Sequence, residues 1–335
     1  MLNWEAIPLR RKGKEMRTTA LISAILLVNI VAWAQANPAP ATPSQGQGPA
    51  TTGTPPTNPQ QPAPATGNHR VLQAKSQEEL KAYQDAITKT DAAQAEAAAK
   101  DFAAKFPNSD LRSALYIRAM NMYAQANNSD KVIDLGRQAI AADPINPVPL
   151  MEVASTLAET TRDTDLDREQ RLAEAAKDAH AALDNVDTGL LLPANPDSEK
   201  VAGAKRTIIT NSYTVLGMVA MARNDYSEAA TDFQKGIDAG KDNPEAVLYL
   251  RLSVAQDKMK DYQQALESAN KAVQYSPPGT PAQSLAKQQQ ERLQKLIEAE
   301  NPGATGAQPG PPSPTPFPGG QAGSNPLPGQ SGPPH

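Results

Sequence analysis

The chain contains no cysteine. That removes disulfides, cysteine-based zinc sites, thiol nucleophiles and an N-terminal lipid on cysteine. Aromatic residues make up only 4% of the sequence, too few for a β-sandwich core, which draws on β-branched and aromatic side chains. Excess basic charge is also missing: 32 Lys and Arg stand against 36 Asp and Glu, a net charge of -4. No basic stripe is long enough to neutralise a phosphate backbone, which argues against a nucleic-acid partner. The three histidines, His69, His180 and His335, are scattered. No His-Glu-x-x-His, Gly-x-Ser-x-Gly or phosphate-loop pattern occurs. With no constellation of acid, base and nucleophile, the sequence nominates no catalytic residue, no cofactor and no small-molecule substrate. His180 reads as a partly exposed residue on a helix among alanines.

Proline and charge are distributed unevenly. Residues 37–67 carry 9 prolines and residues 301–335 carry 11 of the chain's 31, and neither stretch has a Lys, Arg, Asp or Glu. Such segments bury too little apolar surface to offset the entropy of ordering. The composition therefore predicts a disordered Pro/Ala/Thr linker over 37–67 and a disordered Pro/Gly-rich tail over 301–335, with the ordered part confined to 68–300. At ~3.1 Å per residue such a linker, if extended, is a long spacer.

One apolar run stands near the N-terminus, from Thr18 to Ala34, preceded by Arg17 and followed by Ala34-Gln35-Ala36. A basic flank, a short apolar run and an Ala-x-Ala site form the pattern of a secretory signal peptide, with cleavage expected after Ala36. Residues 1–36 thus read as a signal peptide, or as an extended leader with a possible start at Met16. The run is shorter than the ~20 residues that usually span a bilayer. The alternative is an uncleaved anchor, with contact to the membrane only in that case. Both place the ordered part outside the cytoplasm, periplasmic or secreted when cleaved and anchored to the inner membrane, facing the periplasm, when not.

What is abundant in the middle is alanine at regular offsets. Tyr213, Leu216-Gly217, Ala220, Asn224-Asp225-Tyr226, Ala229, Phe233 and Gly236 form one unit. About 36 residues later come Tyr249, Leu252, Ser253, Ala265, Ala269, Ala272 and Pro277. Upstream lie Tyr116, Ala119-Met120, Tyr123, Val132, Ala139 and Pro144, with Gly136 at the position of Phe233. Two weaker copies hold Tyr83, Ala86, Ala95, Ala99, Phe102 and Pro107, and Leu150, Val153, Ala154, Leu157, Ala175, Ala179 and Ala182. The last of these carries an insertion. A period of about 34–36 residues with small residues at fixed places marks an array of helical hairpins. Small residues let two helices approach closely, larger ones fill the gaps, and proline ends the second helix.

This spacing resembles the tetratricopeptide repeat, in the secreted or periplasmic bacterial type. The resemblance implies an all-α fold: an α-solenoid, a superhelix of tandem hairpins. Its units run over about 76–107, 112–146, 147–184, 207–243 and 246–278, with an amphipathic capping helix at 281–299. In the capping helix Leu285, Leu293, Leu296 and Ile297 are expected to face inward, and Lys, Gln, Arg and Glu to face out. The stretch from Leu183 to Lys200, with Pro193 and Pro196, reads as a linker at which the array kinks. Asn127-Asn128-Ser129 reads as the turn of a hairpin.

In that family the first helix of each hairpin lines the concave face. The positions this assigns are Leu80, Gln84, Ile117, Asn121, Met151, Ser155, Met218, Met221, Leu250 and Val254. A mixed, methionine-containing surface suits an extended or helical peptide; packing against the neighbouring hairpin is the other reading for Met218, Met221 and Ile117. The family's carboxylate-clamp pattern is not met, because Ile117, Val148 and Glu152 occupy positions that need basic residues. Asp163, Asp165, Asp167 and Glu174 partly match a calcium loop, but Arg168 stands where that loop needs glycine. The alternative is an exposed insertion whose carboxylates favour the N-terminus of the helix that follows, so no metal site is assigned. The expectation is a non-enzymatic scaffold of the cell envelope with a peptide or protein partner. The alternatives are a structural component of an envelope, outer-membrane or cell-division assembly, and an accessory to a secretion or polysaccharide-export system.

Overall fold

The computed structural model describes residues 70–192 and 195–300. The leader over 1–36, the 37–67 linker, the 301–335 tail, His69, Pro193 and His335 lie outside the described residues. Among those described, eleven helices follow one another: α1 (Gln77–Ile87), α2 (Ala92–Lys105), α3 (Leu111–Gln125), α4 (Ser129–Ala142), α5 (Pro147–Thr160), α6 (Arg168–Asn185), α7 (Ser198–Ala222), α8 (Tyr226–Ala239), α9 (Ala246–Lys258), α10 (Tyr262–Tyr275) and α11 (Pro281–Glu300). Each packs chiefly on its neighbours in sequence. The fold is an all-α solenoid of tandem helical hairpins.

The repeat is most regular at the turn inside a hairpin. Asn127, Asn224 and Lys260 have φ of 56°, 62° and 64°. Each is followed by an Asn or Asp (Asn128, Asp225, Asp261) whose backbone N–H donates to Tyr123, Ala220 and Gln256 respectively, at 2.9–3.0 Å. The side chains of these three residues then accept from the backbone N–H groups of Lys131, Glu228 and Gln264 and cap the second helix. The left-handed residue closes the first helix, and the next one opens the second. Asparagine tolerates that backbone region better than lysine. Lys260→Asn is therefore expected to stabilise the fold by about 0.5 kcal/mol, read as a higher denaturation midpoint in urea with an unchanged slope.

In two of the hairpins the helix contact depends on one small residue facing one large residue, and the partners change places between them. In α7–α8 the small one is Gly217: a Cβ there would lie 2.5 Å from the Phe233 ring. In α3–α4 the arrangement is reversed. Gly136 occupies the position of Phe233, and a Cβ there would meet Met120 Sδ at 3.2 Å and Val153 Cγ2 at 2.2 Å. In α9–α10 both positions are small, Ser253 and Ala269, and both are fully buried. There the gap is covered from α11: Leu293 packs on Ala265 and Ala269, and Gln289 Nε2 lies 3.5 Å from Ser253 Oγ as donor.

Three expectations are corrected. The first helix of the fourth unit begins at Ser198, nine residues before the unit start expected at 207, because Asp197 caps it through the N–H groups of Glu199 and Lys200. The extra turns are packed through the buried Ala204. In α11 Gln289 faces inward, not out: it is 1% exposed, and its amide also donates to Asp257 at 3.4 Å. Finally, Leu296 and Ile297 are only half-buried, so the inward seam of α11 runs through Ala286, Gln289 and Leu293.

Candidate functional site

The first helices of four consecutive hairpins, α3, α5, α7 and α9, converge on a groove of ≈ 270 Å³. Each contributes side chains three and four residues apart, the spacing of one helix face. From α3 come Asn121, Ala124 and Gln125; from α5 Glu152, Ser155, Thr156, Glu159 and Thr160; from α7 Asn211, Thr214, Val215 and Met218; and from α9 Val247, Leu248 and Arg251. The α3–α4 turn closes one side with Asn127 and Asn128, and Glu245 stands at the start of α9.

Of the ten concave-face candidates, the groove brings together Asn121, Ser155 and Met218. Ile117, Met151, Met221, Leu250 and Val254 are buried in the core, where they join neighbouring hairpins. Leu80 and Gln84, on α1, are half-buried and do not line the groove. Met151 supports the groove from behind: Ser155 Oγ and Asn211 Nδ2 approach its sulfur at 3.6 and 3.7 Å.

The most polar lining residues were not among the candidates. The stripe Glu152, Ser155, Thr156, Glu159, Thr160 recurs at helical spacing along an otherwise apolar α5, and that stripe was the available signal. Burial, then the neighbouring Glu159 charge, push the Glu152 carboxyl up to about 7. Asn121 is 8% exposed, and its amide nitrogen has no hydrogen-bond partner.

The acidic residues of the insertion and of α6 have separate partners, and Asp167 precedes α6 without a side-chain cap bond. Asp163 accepts from Arg168 Nε at 3.1 Å. Glu174 accepts from Arg137 Nε and Nη2 at 2.7 and 2.6 Å. Asp165 accepts the Arg162 backbone N–H at 2.8 Å. Among the described residues no group of side chains is placed to hold a metal ion. His180 is exposed on α6.

Comparison with known families bears on the last hairpin. Residues 246–278 match the tetratricopeptide repeat. This tetratricopeptide repeat is the α9–α10 hairpin, and its first helix supplies Val247, Leu248 and Arg251 to the groove. Repeats of this kind commonly mediate binding to proteins or peptides. No curated protein matches the chain.

Proposed function

We propose that the chain is a non-enzymatic scaffold of the cell envelope which holds a peptide or protein partner in the groove between α3, α5, α7 and α9. The observation that carries this is the shared lining: one helix from each of four hairpins presents a stripe to the same space. A solenoid exposes such a surface by construction, and it suits an extended chain better than a reaction centre. The envelope location rests on Arg17, the 18–34 apolar run and Ala34-Gln35-Ala36. No helix among the described residues is long and apolar enough to cross a membrane.

Photo-crosslinking in intact cells tests this reading. Crosslinkers placed at Ser155 and Thr214, which line the groove, are compared with crosslinkers at Lys177 and Thr231, exposed on second helices. The expected result is one dominant protein adduct from the groove positions and none from the others. Equal adducts at all four positions, or none at the groove, would overturn it.

A further inference from the structure

The proposed groove is acidic in a specific place. Three carboxylates line it, Glu152 and Glu159 of α5 and Glu245 at the start of α9, against one guanidinium, Arg251. Glu159 and Arg251 already have interaction partners of their own. Glu152 differs: no cation and no hydrogen-bond donor among the described residues acts on its carboxylate. It is half-buried, with the groove open beside it. Around it stand neutral polar groups, Ser155 and Thr156 on the same helix and Asn211 and Thr214 across the groove on α7. Asn121 adds a buried amide nitrogen without a partner.

A carboxylate in that position is costly to ionise unless a positive charge arrives. Resting on the groove reading above, we infer that the groove selects a protein segment carrying a lysine or arginine side chain, whose cation pairs with Glu152 while the segment's backbone meets the Asn and Thr side chains around it. The cation is the complement of the lining: a hydrophobic side chain would leave Glu152 desolvated and unpaired, and an acidic one would add a fourth carboxylate. Arginine fits the two carboxylate oxygens in a bidentate geometry, and lysine offers a point charge. The raised carboxyl of Glu152, about 7, adds a signature. A bound cation favours the ionised form, so association releases a proton and weakens as pH falls below that value. The charged groups that share the groove with Glu152 are Glu159 from its own helix and Glu245 and Arg251 from α9, and of these Glu159 is the one that acts on its carboxyl.

The test uses the full-length protein and capped nonapeptide pools of Ala, Ser, Leu and Gln whose central residue is fixed as Arg, Lys, Gln or Glu, at about 150 mM salt to screen diffuse attraction. Fluorescence anisotropy at about pH 8 is expected to show the Arg and Lys pools binding at least about ten-fold tighter than the Gln pool. The preference should shrink at about pH 6. Glu152→Gln should abolish it. Thr156→Arg, which sets a guanidinium one helical turn from Glu152, should do the same should Glu152→Gln unfold. Ser155→Trp, which fills the groove, should remove binding of every pool. Binding that Ser155→Trp blocks but that ignores the central residue and Glu152→Gln would sink the cation inference and leave the groove reading intact. Preference for the Glu pool would also sink it. No binding of any pool, or binding indifferent to Ser155→Trp, would sink both.

Discussion

Phe233→Ala is expected to destabilise the protein by about 3–5 kcal/mol, the largest effect of any single change considered. The ring is 1% exposed and sits on the backbone at Gly217, where a Cβ would come within 2.5 Å of two ring carbons. Removing the ring opens a cavity that α7 and α8 cannot close without losing the rest of their seam. The same contact forbids a side chain at 217. Gly217→Met alone is expected to cost about 2 kcal/mol or more, through overpacking and displacement of the ring. The pair Met120 and Gly136 holds the corresponding positions of α3–α4 with the sizes exchanged. The double change Gly217→Met with Phe233→Gly should therefore recover a large part of the loss. Urea unfolding of the two single variants and the double gives the coupling energy. A double variant as unstable as the sum of its parts would show that the exchange depends on surroundings peculiar to α3–α4, such as Val153.

That exchange shows what could and could not be read from residues in order. The hairpins are legible because alanine recurs at one spacing, with an Asn or Asp cap at three of the turns and a closing proline in register in three units (Pro107, Pro144 and Pro277), and each of those residues acts within its own unit. Gly136 stands where Phe233 stands in its own unit, and the residue that compensates for it, Met120, lies on the other helix. The start of α7 was hidden for a related reason. Ser198–Arg206 is largely polar, and Pro193 and Pro196 suggest a linker. The packing of Ala204 and Ile208 is set by partners in other hairpins, which no local period reveals. Counting positions along each first helix locates the concave face only in part. Leu250, Val254 and Met221 were assigned to the concave face by position, and their hydrophobicity draws them into the core. The lining that remains mixes Met218, Val215, Val247 and Leu248 with Asn, Ser and Thr side chains and the carboxyl groups of Glu152, Glu159 and Glu245.

Electrostatics knit the first hairpins together at Glu96, and there the largest pH-dependent effect is expected. The Glu96 carboxylate of α2 accepts from Lys100 at 2.7 Å, from Lys131 of α4 at 2.7 and 2.9 Å, and from Tyr123 Oη of α3 at 2.9 Å. Lys131 Nζ also lies 5.6 Å from the centre of the Tyr123 ring. The hydrogen bonds from Lys100 and then Lys131 hold the carboxyl at about 2, well below its ordinary 4.5. The folded state therefore binds fewer protons here than the unfolded chain between those two values. The stabilisation is present in full above about pH 4.5 and is lost as pH falls toward 2. Lys100 and Lys131 are substantially exposed, 50% and 39%, and water weakens their hold. Glu96→Gln is accordingly expected to cost on the order of 2 kcal/mol near neutral pH, with the gap to wild type closing as pH falls from about 4.5 toward 2. Urea midpoints at about pH 7, 5 and 3 test this. A gap that stayed constant down to pH 3 would mean that Glu96 acts through packing alone. A gap that closed only for Lys131→Met would place the coupling on the α2–α4 pair and leave the Lys100 contact within α2 as a minor part of it.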